Sequence, residues 1–177
     1  MPEGVDQAAL EISNLATSAT ASAWIWGGNF LILIVLTVII LFFAMHQGAS
    51  GLISLNLAVY AAYALYTVFP YRESIIQIGA TPLVQAILSI GLYMILMALP
   101  FMISLRLTAP SFGQLSIFQN LLLSFVAAGF MLALAYHVFG ISNIYAFSDP
   151  LNSLFAPKGY FFYWFIAPIL GLYFLAR

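Results

Sequence analysis

The chain has 177 residues, 64% of them hydrophobic and 5% charged, with a net charge of −1 at pH 7 and no cysteine. Soluble domains carry roughly 25% charged residues, so a mean hydropathy of +1.09 excludes a water-soluble globular protein and places most of the chain in a bilayer. The basic residues Arg72, Arg106, Lys158 and Arg177 are too scattered to neutralise a nucleic-acid backbone, and without cysteine there are no disulfides, thiolate zinc sites or iron–sulfur clusters.

Residues 1–23 form the only sizeable polar stretch, with Glu3, Asp6 and Glu11 and no basic side chain. That lacks the positive start of a secretory signal. Val5, Ala8, Ile12 and Leu15 recur at near-helical spacing, so the stretch reads as an acidic tail or a short amphipathic helix on the membrane surface. Its carboxylates have no convergent geometry for a cation. Trp24 and Trp26 follow where an interfacial aromatic belt would place them.

Residues 24–177 read as one polytopic, all-α integral membrane bundle of about five transmembrane helices. The first, 27–45, is rich in β-branched residues, but its length decides for a membrane helix, since about 20 apolar residues cross the hydrocarbon core. A tight turn from His46 to Ser50 then leads into a second span over 51–69, making an antiparallel hairpin. Ser50 is expected to cap that second helix.

The second span organises the rest. At about 100° per residue, Asn56, Tyr60, Tyr63 and Thr67 share one polar stripe. Gly51, Ser54, Ala58, Ala61 and Leu65 lie opposite, a face on which small residues let helix backbones approach. This helix is expected at the centre of the bundle and the first at its lipid-facing edge. Tyr60 and Tyr63 read as interhelical hydrogen-bonding groups ahead of the lining of a polar passage.

Tyr71 to Thr81 is an amphipathic turn or a plain connection. Pro82 suits the first turn of a third span over 82–104, in which Gln85, Ser89 and Tyr93 form a polar edge and Pro100 predicts a kink. Arg106 opens the next loop, where Pro110 and Gly113 are breakers. A fourth span, 116–139, carries Ser124 and Ala128 on one side and Gly129 and Ala133 on another, again a packing pattern. The long loop 140–159 holds Asp149 as a turn residue before Pro150. The last segment, 160–176, is a fifth crossing, or alternatively a re-entrant or interfacial stretch.

His46 and His137 fall at predicted helix ends and read as satisfied interfacial imidazoles ahead of ligands or proton carriers. No ionisable group sits mid-span, which disfavours an ion pump. Basic residues divide evenly between the two sides, and the acidic tail favours N-terminus out, C-terminus in.

The run HQGASGLISLNLAVYAAYALYTVFP, His46 to Pro70, resembles the opening hairpin of the colicin V production family of small bacterial inner-membrane proteins. There a glycine-bearing turn leads into a helix rich in Gly, Ala, Ser and Tyr. QNLLLSFVAAGFMLALAYHVF, Gln119 to Phe139, is similar to that family's last core helix. The resemblance implies a multi-pass inner-membrane protein linked to toxin export or envelope upkeep.

GASG, Gly48 to Gly51, resembles the nucleophile motif of rhomboid intramembrane proteases, which pair the serine with a histidine from another helix. His137 is the candidate partner, but topology places it on the opposite face, about 30 Å from Ser50. His46 is on the correct side yet would need the turn to aim both side chains together. The expectation is therefore a non-enzymatic scaffold or assembly protein without cofactor or metal. It would partner the bilayer and either further copies of itself or a membrane complex. The alternative is a channel or carrier for a small neutral solute, using Asn56, Tyr60, Tyr63 and Gln85 near the midplane.

Overall fold

A computed structural model describes residues 30–108, 115–141, 144 and 149–175. The acidic tail, the Trp24–Trp26 belt, Pro110, Gly113 and Arg177 lie outside the described residues. Every element among those described is a helix: α1 (Leu31–Val68), α2 (Arg72–Ile76), α3 (Pro82–Thr108), α4 (Ile117–His137), α5 (Asp149–Phe155) and α6 (Lys158–Leu175). Among them α1, α3 and α4 are long and apolar enough to cross a membrane.

The expected turn between the first two spans is compressed to one residue. Leu31–Val68 consists of two helical arms that meet at Gly48, the one residue among them outside the helical region, at φ 75° and ψ −174°. Only glycine occupies that region without strain. The break reverses the chain. Leu36 and Leu55 line one cavity together with Met97 and Phe139, whereas a straight helix would separate those two leucines by about 28 Å. Phe43 likewise meets Phe101 of α3 at 6.0 Å between ring centroids. The arms, 31–47 and 49–68, thus lie side by side. Ser50 is not a cap: it sits inside the helical run, because the break falls two residues earlier.

The arms differ as their sequences require. On the first, Ile34 and Val38 are 52% and 56% exposed, whereas Ala58 on the return arm is fully buried. The return arm packs against α3 and α4, and α6 packs against α4 and reaches the return arm at Tyr60. The small face ends at Ala61, since Leu65 points outward.

Helix ends follow local chemistry. Thr81 accepts from the Val84 N–H at 3.3 Å, capping α3 with Pro82 in its first turn. At the other end α3 runs past the predicted boundary. Arg106 lies in its last turn rather than opening a loop, where its charge complements the helix dipole. Ser116 and Gln119 form a reciprocal capping box that starts α4. The expected loop around Asp149 is instead the start of α5, which inserts Leu151 and Phe155 into the core. Tyr71 to Thr81 contains the one-turn helix α2.

Gly48 and Gly91 both have open space where a Cβ would go, so alanine at each isolates backbone conformation from packing. Gly48→Ala is expected to destabilise by about 1–3 kcal/mol. Gly91→Ala, inside α3, is expected to be neutral or stabilising by up to about 1 kcal/mol. Unfolding midpoints in detergent check the pair; equal shifts would contradict the Gly48 hinge.

Candidate functional site

The middle of the bundle is a set of tyrosine struts. Tyr93 of α3 donates to the Val59 carbonyl of the return arm at 2.7 Å. One residue on, Tyr60 donates to the Phe165 carbonyl of α6. Pro168 in α6 removes a helical donor close to that carbonyl, and neighbouring helices re-satisfy such groups in membranes. The Tyr60 ring stacks on Phe130 at 4.8 Å and meets Phe165 edge-on at 5.1 Å. Residues 59 and 60 therefore join three helices.

Three further buried polar side chains are also spent internally. Asn56, 2% exposed, donates to the Leu52 carbonyl one turn back at 2.9 Å. Ser54 and Thr108 bring their hydroxyls to 2.7 Å. Thr108 also donates to the Ser104 carbonyl at 2.8 Å, and with its single proton used there, Ser54 is the donor between them.

On α4, Ser124, Ala128, Gly129 and Ala133 are all buried. Ala128 and Ala133 belong to the cluster shared with Ile40, Ala44 and Leu52 of α1. Gly129 lies against the Trp164 indole, which occupies the space a Cβ would need. That indole stacks on Phe155 at 4.8 Å. The Ser124 hydroxyl is buried without a hydrogen-bond partner.

The polar stripe does not converge on a passage. Tyr63 and Thr67 extend to the α2 end of the bundle, while Gln85 sits at the first turn of α3 and donates to the Gly79 carbonyl at 3.0 Å. The midplane grouping of Asn56, Tyr60, Tyr63 and Gln85 is thus corrected: Gln85, in the first turn of α3, lies at the α2 end of the bundle, away from Asn56.

What the structure does assemble is an end cavity of about 430 Å³, lined by Tyr63, Tyr66, Thr67, Arg72, Glu73, Ile76, Gln77, His137 and Val138. Pro70 ends α1 and the short α2 turns Arg72 back over it, so that the guanidinium lies 5.5 Å from the centre of the buried Tyr66 ring. Arg72 and Glu73 pair at 3.6 Å. The His137 ring packs on Phe161 at 5.0 Å, and its Nε2 is buried without a partner, so this imidazole is not the satisfied one expected. The sequence reading missed the cavity because its walls come from three elements brought together by the turn at Pro70. The visible signal was Tyr63 and Thr67 on one helical face with Arg72 just beyond.

Ser50 and His137 occupy opposite ends of the bundle. Thr108, at the end of α3, reaches the Ser50 carbonyl at 3.4 Å, whereas His137 shares its cavity with Thr67. Along the return arm, those levels are about 25 Å apart.

Tyr60→Phe and Tyr93→Phe each remove a bond between helices and are expected to cost about 1 kcal/mol. Tyr63→Phe, whose ring but not its hydroxyl is engaged, is expected to leave stability unchanged. Steric-trap or detergent unfolding of the three variants checks this; equal losses would contradict the strut assignment.

Compared with known proteins, the chain matches no family model, no curated protein and no solved structure.

Proposed function

We propose that the chain is a multi-pass integral membrane scaffold or assembly protein without catalytic activity, crossing the bilayer about five times. The observation that carries this reading is that Ser54, Asn56, Tyr60 and Tyr93, polar side chains between the helices, are spent on another side chain or on backbone carbonyls. Side chains committed in this way hold helices in place and do not hydrate a solute path. The outward-facing apolar residues of the first arm, such as Phe42 and Met45, supply surface for lipid or for a partner helix. The resemblance to the colicin V production family motivates placing it in a bacterial inner membrane, in envelope upkeep or secretion, as a homo-oligomer or a subunit of a larger complex.

A carrier for a small neutral solute is the second reading, favoured by the end cavity with its Tyr63, Thr67, Gln77 and His137 groups. Proteoliposomes of the purified protein separate the two. The scaffold reading expects uptake of glycerol and urea at the rate of empty vesicles, and accelerated uptake would favour the carrier.

The native chain has no cysteine, so single-cysteine labelling in intact cells reads topology directly. Cysteines at His46 and Arg106 are expected to react from one side, and those at Gln77 and Ser153 from the other. Labelling of His46→Cys and Gln77→Cys from the same side would overturn the crossing count.

A further inference from the structure

Three cavities adjoin one another, one at the α2 end of the bundle and two along α3. The polar end cavity shares Ile76 and Val138 with a neighbour of about 230 Å³ that Gln85 and Ser89 help to wall. That neighbour shares Phe139 with a third, of about 380 Å³, between the first arm of α1 and α3. The third is apolar: its one hydroxyl, on Tyr93, is committed to the Val59 carbonyl. Ile39 and Met94, 58% and 54% exposed, put its mouth on the outer surface. Polarity thus falls from the α2 end toward the middle of the bundle, as it falls along a lipid molecule from head to tail.

The head end presents both signs of charge. Arg72 and Glu73 lie side by side, 3.6 Å apart, and Glu73 is largely solvent-facing. An anionic head would oppose Glu73 and a cationic one would oppose Arg72. A head carrying phosphate and ammonium complements both. Gln77 and His137 line the same cavity. We propose that this succession of cavities binds one zwitterionic phospholipid, its phosphate at Arg72, its ammonium at Glu73 and an acyl chain in the groove beside Met94. Lipid tails are as apolar as the groove, so transfer of the tail supplies little selectivity; the head supplies it and the groove fixes where the tail lies.

The inference rests on the membrane-spanning reading, and one experiment distinguishes their failures. The full chain is reconstituted in phosphatidylglycerol vesicles doped with phosphatidylethanolamine or phosphatidylglycerol bearing a photoreactive acyl chain, and cross-linked residues are mapped by mass spectrometry. The phosphatidylethanolamine probe is expected to label Leu36, Met94 and Met97 in excess over the outward-facing Ile34 and Val38. Arg72→Gln is expected to cut that excess about tenfold, the loss of one charged hydrogen-bonding partner. Met94→Trp should remove it by filling the groove while leaving Ile34 labelled, which shows the variant is folded and inserted. Equal labelling of groove and outer face, an equal excess from the phosphatidylglycerol probe, or an unchanged excess in Arg72→Gln would overturn the proposal. Absence of label at Ile34 and Val38 as well would overturn the membrane reading itself.

Discussion

A single glycine sets the geometry on which everything else in this bundle depends. Held straight, the 38 residues of α1 would extend about 57 Å, nearly twice the roughly 30 Å of a hydrocarbon core. Gly48 at φ 75° folds that length back on itself with a single residue outside the helical region, which keeps the connection between the two arms short. Both arms then stand beside α3, and the return arm, with its small residues, is left in the centre.

Once the return arm is central, its polar groups must be satisfied within the protein. Tyr60 and Tyr93 do so by bracing α6 and α3 against positions 60 and 59. Asn56 does so within its own helix. Among the described residues the Ser124 hydroxyl is left unpaired within α4, while the Arg72–Glu73 pair and His137 line the cavity at the α2 end. That cavity sets a charged pair at one end of the bundle, and a groove farther along opens on the apolar flank.

Much of this was readable in the residues. Small residues spaced as Gly51, Ser54 and Ala58 identified the buried face, because packing demands volume complementarity that a helical wheel displays directly. Gly129 was placed on a packing face in the same way, and Trp164 fills the space it leaves. What could not be read were features created by chain reversals. The glycine-bearing turn was visible in sequence, but its reduction to Gly48 alone depends on a backbone angle. The drift of Gln85 away from Asn56 depends on how far α3 slides along the return arm. Asp149 looked like a turn residue beside Pro150, yet both fit the first turn of a helix, where a proline lacks no needed donor and an acid faces the dipole.

The reversal at Gly48 is tested most directly by a distance. The chain has no native cysteine, and Leu31 and Val68 are both exposed, so spin labels at these two positions can be measured by double electron–electron resonance in nanodiscs. Arms packed at the usual helix separation of about 8–10 Å predict a label distance below about 25 Å. A distribution centred near 55 Å, the length of one continuous helix, would contradict the hairpin and the bundle built on it.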